Sequence, residues 1–226
     1  MQVSPIMTGF KPAPTLRGFL GGLALTLLFA CGAAAAGPAP AKLSAADKAD
    51  LTRIEAYLNG IKTVTGKFEQ TNADGTILTG TIWLSRPGKM RFDYDPPTQM
   101  LIVSDGNSIE VNDKGQDDVQ IVAVRDTPAW LILRDGVTLS GDVTVTRFER
   151  GQKVLRVTVV QNNDESDSTL TMVFSDEPLA LRQWTVADPQ GRATSVALLD
   201  LQDTTAFGHC LFVLPDSYAN KVSPCR

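Results

Sequence analysis

The 226-residue chain has a single histidine, His209, close to its C-terminus. A Ser-His-Asp or Cys-His nucleophile would have to be built on that residue, and no Gly-x-Ser-x-Gly elbow accompanies it. Cysteine is as scarce: Cys31, Cys210 and Cys225 are too few and too scattered for zinc-ligand spacing. A calcium loop of alternating aspartates, a phosphate-binding glycine loop and a dinucleotide fingerprint are all missing. The carboxylates fall almost entirely in expected turns, where they are ordinarily solvated. The chain therefore reads as a non-enzyme with no cofactor and no metal. Positive charge is sparse too. A formal net charge of −4 without any Lys/Arg cluster argues against a nucleic-acid partner. With 43% hydrophobic and 20% charged residues, the composition is that of one globular domain rather than a disordered chain or a membrane bundle.

The N-terminus reads as a targeting segment. Lys11 and Arg17 precede the apolar run 19–30, which is shorter than the roughly 20 residues a spanning helix needs, and the small residues of 32–37 offer cleavage sites. Residues 1–36 are thus expected to be a signal peptide, and 37–226 one secreted domain. Leu28-Phe29-Ala30-Cys31-Gly32 also has the form of a lipobox, in which Cys31 would be acylated and begin the mature chain. In an oxidising compartment Cys210 and Cys225 can bridge; two unpaired thiols in a loose tail fit the spacing equally well.

After a Pro/Ala linker, Ser44 is placed to cap a helix with Asp47 in its first turn. Leu51, Ile54, Tyr57, Leu58 and Ile61 follow at helical spacing, and Asn59-Gly60 supplies a stop. From there the period changes to two. Strands are expected at 62–71, 76–85, 89–94, 99–104, 108–112 and 119–124, then at 142–149, 153–161, 168–175, 179–187 and 192–202, with Gly, Asn, Asp and Pro at the breaks. Residues 126–136 interrupt the pattern. Thr127 as N-cap, Pro128 and Gly136 bracket a short helix that is apolar nearly all round, too short to stand without a sheet to lie on. About eleven antiparallel strands are too many to stay open and flat. The expected fold is all-β with a helical lid: an incompletely closed antiparallel half-barrel covered by short α-helices.

The stretch 80–106 is the most informative. In 89–95, Met90, Phe92 and Tyr94 alternate with Lys89, Arg91, Asp93 and Asp95, so three large apolar groups share one sheet face. With Trp83, Met100, Ile102, Trp130, Leu131 and Leu133 they are candidates to line an acyl-chain cavity; the same pattern also suits the filled core of a closed barrel. The apolarity of the short helix favours the cavity.

The order Trp83-x-x-Arg86-Pro87, Met90-Arg91-Phe92-x-Tyr94, Pro96-Pro97, Ile102-Val103-Ser104-Asp105-Gly106 resembles the periplasmic outer-membrane lipoprotein carrier family, LolA. That resemblance implies an unclosed barrel lidded by helices. It further implies a periplasmic, monomeric chaperone that takes acylated lipoproteins from an inner-membrane ABC release complex to an outer-membrane acceptor. It places the family's lid-clamping arginine on Arg86, and its lid elements on the N-terminal helix and on 127–134. Cys31 would instead suit the similarly folded, membrane-anchored receptor LolB. A periplasmic domain that senses lipid or lipoprotein is a further reading of the same half-barrel.

Overall fold

A computed structural model describes residues 39–113, 118–162 and 167–213. The expected signal peptide, Cys31, residues 114–117 and Cys225 therefore lie outside the described residues. The first described element is α1 (Ala45–Gly60). Its start is the one the sequence implies. The Ser44 hydroxyl accepts from the Asp47 N–H at 3.2 Å, while the Asp47 carboxylate accepts from the Ser44 N–H at 2.9 Å, so two orphan donors are satisfied reciprocally. Leu51, Ile54 and Leu58 form its buried stripe.

Eleven strands follow: β1 (Thr63–Thr71), β2 (Ile77–Ser85), β3 (Lys89–Tyr94), β4 (Met100–Asp105), β5 (Ser108–Asp113), β6 (Asp118–Ala123), β7 (Val143–Gly151), β8 (Val154–Gln161), β9 (Thr169–Asp176), β10 (Leu179–Ala187) and β11 (Ala193–Asp203). They make one antiparallel sheet in the order β6-β5-β4-β3-β2-β1-β11-β10-β9-β8-β7. Two meanders meet where β11 returns to pair with β1. β6 and β7 stand at opposite ends of the order, so the sheet is not closed into a barrel. The segment between them carries a short 3-10 turn (Val124–Asp126) and α2 (Ala129–Leu133). The β7 edge takes one further bond, from the Ala41 N–H to the Val145 carbonyl at 2.8 Å.

The sheet is strongly curled. β3 and β10 lie four strands apart, about 19 Å at the usual spacing in a flat sheet, yet the Phe92 and Trp184 rings stand 6.2 Å apart, edge to face. Register shifts in the β1–β11, β9–β10 and β7–β8 ladders supply the bending. Gly66, at the first of these, has no room for a side chain: a Cβ there would stand 2.8 Å from the Leu199 carbonyl oxygen. Inside the curl, one apolar core joins side chains from both meanders to α1 and α2.

The outer face has a smaller apolar cluster. Leu101, Val103 and Phe212 are buried there, with Trp83, Phe207 and Leu211 packed around them. The C-terminal 3-10 turn (His209–Phe212) lies on this face, where the Arg91 guanidinium donates to the Leu211 carbonyl at 3.1 Å. Cys210, in that turn, is disulfide-bonded.

Two local expectations are corrected. Thr127 does not cap α2 with its side chain: its hydroxyl donates to the Val124 carbonyl at 2.8 Å, Pro128 occupies the cap position, and only the Thr127 carbonyl joins the helix, accepting from the Trp130 N–H. Asn59-Gly60 does end α1, but through an extended Ile61 rather than a left-handed glycine.

Candidate functional site

The inner wall is built by the alternation of the central meander. Ile82 and Leu84 on β2, Met90, Phe92 and Tyr94 on β3, and Met100 and Ile102 on β4 all face the core. Gly80 leaves a gap in this wall that the Phe68 ring fills, since a Cβ at Gly80 would lie 2.6 Å from that ring. Phe68 thereby meets Phe92 at 4.8 Å and Tyr94 at 5.0 Å, both edge to face. Leu131 and Leu133 of α2 are buried against the same core, and Trp130 is half-buried at its margin with the Arg134 guanidinium 4.3 Å above its ring.

Trp83 does not belong to this wall. Gly80, Ile82 and Leu84 take the inner positions of β2, so Trp83 points outward, across from Arg91 and into the cluster beneath the C-terminal turn. Among the described residues the inner side chains pack on one another and on the helices, and a recess lined by Pro128, Leu131, Val143, Val159, Gln161, Ser168 and Leu170 measures about 10 Å³, roughly one water.

Arg86 sits where those helices converge. It follows the last residue of β2, and its own N–H extends the ladder by donating to the Lys62 carbonyl at 2.8 Å. Its guanidinium donates through Nη1 to the Leu58 and Ile61 carbonyls at the end of α1, and through Nη2 to the Arg134 carbonyl at the end of α2. The last carbonyls of a helix lack intrahelical donors and carry the negative end of its dipole, so one planar cation between two helix ends satisfies both. Burial pushes the Arg86 pKa below its ordinary value, with Asp135 acting in the opposite direction, and Nε is buried without a protein partner. That is a costly place for a cation unless the two helix ends are present to receive it.

The turn carrying Arg86 is itself fixed. The Gly88 N–H donates to the Leu133 carbonyl at 2.9 Å, and the Gly88 carbonyl accepts from the buried Ser104 hydroxyl at 2.6 Å. Gly88 has φ +79° and lies so close to Gly106 that a Cβ would come within 2.6 Å of it, so glycine is required twice over.

Asn59, read from sequence only as part of a helix stop, and Glu55, not singled out at all, bind the 137–139 segment to α1. The Asn59 amide donates to the Val137 carbonyl at 2.9 Å and accepts from the Val137 N–H at 2.7 Å, while the Glu55 carboxylate accepts from the Leu139 N–H at 2.6 Å. Nothing local marks them, because their partners lie 78 and 84 residues away.

The family profile described as "Outer membrane lipoprotein carrier protein LolA" matches residues 59–215, which span the meander, Arg86, α2 and the whole sheet. The chain belongs to the LolA family. It is similar to the outer-membrane lipoprotein carrier protein of Pseudomonas aeruginosa strain PAO1, with 29% identity over 165 residues, or 69% of this chain and 78% of that protein. The carrier protein of the same name from Nitrosomonas europaea is 27% identical over 187 residues, 77% of this chain and 86% of that one. Among solved structures, a LolA superfamily protein from Nitrosomonas europaea aligns with a TM-score of 0.43 and 8% identity, over 74% of this chain and 97% of that one. Among the described residues, no helix is long and apolar enough to cross a membrane, and no cluster of His, Cys, Asp and Glu could hold a metal ion.

Proposed function

We propose that this LolA-family protein is a periplasmic carrier that shelters the acyl chains of lipoproteins on the inner face of its curled sheet. In this reading it collects them from an inner-membrane ABC release complex and passes them to an outer-membrane acceptor, working as a monomer without catalysis. The observation that carries the proposal is the junction at Arg86: a single guanidinium donates to carbonyls at the ends of both α1 and α2, where they cover the apolar interior. Lid opening would expose Met90, Phe92, Tyr94, Met100 and Ile102 to an acyl chain, whose burial repays the hydrogen bonds released. Reclosure on Arg86 would then favour the empty state and so drive release.

A saturable titration with a fluorescent fatty-acyl probe tests this, together with the rise in melting temperature that binding to the folded state alone must produce. Neither effect appearing would overturn the proposal. A second reading, the anchored receptor, draws on the lipobox-like Leu28–Cys31 run. The mass of the mature N-terminus separates them: an unmodified start near Gly37 fits the carrier, an acylated Cys31 the receptor.

A further inference from the structure

The inner wall carries a polar pair whose hydrogen-bonding groups the acyl-chain reading does not use. Gln70, next to the last residue of β1, and Tyr94, at the end of β3, both point inward and are 2% and 5% exposed. The Tyr94 hydroxyl donates to Gln70 Oε1 at 2.7 Å, and Gln70 Nε2 donates to Asn72 Oδ1 at 2.7 Å. The second bond fixes the orientation of the Gln70 amide, so the atom it offers inward is an acceptor. Burial pushes the Tyr94 phenol above its ordinary pKa, outweighing the hydrogen bond to Gln70, so the atom it offers is a protonated donor.

Phe68, Phe92 and Met100 contribute only apolar surface to the same region. A wall meant for hydrocarbon alone would be served better by leucine or phenylalanine, because two buried polar groups gain little net energy from bonding each other. The pair also sits at a particular end of the sheet. Gln70 pairs with Leu78 near the start of β2, whereas Arg86 follows Ser85 at its finish, about 26 Å away at the usual rise per residue. Through Asn72 it connects to the β1–β2 turn and hence to solvent.

One donor and one acceptor, side by side and satisfied by each other, match one functional group in particular. A secondary amide can enter between them, its carbonyl accepting from the Tyr94 hydroxyl and its N–H donating to Gln70 Oε1, so one hydrogen bond is exchanged for two and no buried group is stranded. An ester can only accept: taking the Tyr94 hydroxyl would leave Gln70 Oε1 unpaired, and leaving the pair intact would gain no bond. We propose that Gln70 and Tyr94 form a head-group subsite that recognises the amide linkage of an N-acylated ligand, holding the linkage at this end while the chain runs toward Arg86. This rests on the acyl-binding reading above.

The test needs two probes with the same palmitoyl chain and the same fluorescent head, joined by a secondary amide in one and an ester in the other. The wild-type protein is expected to bind the amide about tenfold more tightly, since leaving a buried acceptor unpaired ordinarily costs a factor of about five to a hundred. Tyr94→Phe and Gln70→Leu should each narrow the ratio to within about twofold. Equal binding of both probes by the wild type overturns the subsite and leaves the carrier reading intact. A preference that survives in both variants places amide recognition elsewhere and likewise overturns it. If the wild type binds neither probe, the carrier reading fails and the subsite with it.

Discussion

Of the two helices over the sheet, α1 has sixteen residues, a reciprocal side-chain cap and a buried apolar stripe, whereas α2 has five residues and no side-chain cap. α1 is also tied down along its length. Asp50 bonds Arg53 at 2.8 Å and accepts from Arg150 of β7, Arg53 reaches Asp176 at 3.0 Å, and Tyr57 meets Phe174 edge to face at 6.0 Å. α2 is held at its C-terminal end by the Arg86 and Gly88 bonds and by the packing of Leu131 and Leu133. Two covers over one interior therefore differ in what would have to break to lift them: ion pairs, a ring contact and an apolar stripe for α1, and for α2 two hydrogen bonds from one turn and the burial of Leu131, Ile132 and Leu133. We take α2 as the moving part and α1 as its abutment.

Several substitutions press on that contrast. The largest effect is expected from Met90→Glu. Met90 is 7% exposed in the core beneath the helices, and an ionised carboxylate there costs several kcal/mol unless water is admitted. The variant should lose acyl-probe binding by more than tenfold and show α2 unprotected against hydrogen exchange. A variant with wild-type affinity and protection would place the ligand elsewhere. Arg86→Leu comes next. It removes every donor of the latch while keeping apolar bulk, which should cost the closed state about 1–3 kcal/mol. Hydrogen exchange should accelerate across Ala129–Leu133 far more than across the centre of α1, with probe affinity unchanged or raised and delivery to an acceptor reduced. Arg86→Lys should behave similarly, because one ammonium lacks the fork that spans both helix ends.

Asn59→Ala removes the two bonds to Val137 and should destabilise by about 1 kcal/mol, loosening 137–139 without freeing the start of α1; thermal melting and local exchange check it. The smallest effect concerns acid. Burial acts to raise the Asp50 pKa, but hydrogen bonds from Arg150 and Arg53 outweigh it and the net shift is downward. A carboxyl depressed in the folded state contributes stability above its unfolded pKa, near 4, and loses it as pH falls through the folded value. The contacts of α1 should therefore weaken below about pH 4, and Asp50→Asn should flatten that part of the stability profile.

Most of the architecture was legible because side-chain alternation and turn chemistry are local. Each of the eleven expected strands overlaps an observed one, within a few residues at either end, and α1 begins at the cap its sequence announces. Trp83 was misplaced because Ile82-Trp83-Leu84 is an unbroken apolar run that does not reveal its phase; the outward position is apolar only because the C-terminal turn covers it. Thr127 failed as a cap because a preceding carbonyl competes for its hydroxyl. Arg86 was singled out only through the resemblance; its bonds to the Leu58, Ile61 and Arg134 carbonyls appear only in the folded chain. Asn59, Glu55 and the Gln70–Tyr94 pair were illegible, since each depends on strands or helices brought together only by folding.

The central claim is that an acyl chain enters by lifting α2 from Arg86 while α1 stays in place. Hydrogen exchange of the wild-type protein, with and without a saturating fatty-acyl probe, tests it most directly. The account predicts that the amides of Ala129–Leu133 and the Gly88 N–H lose protection on binding, while those in the middle of α1 keep theirs. Saturable binding with undiminished protection across α2, or with α1 opening in its stead, would contradict it.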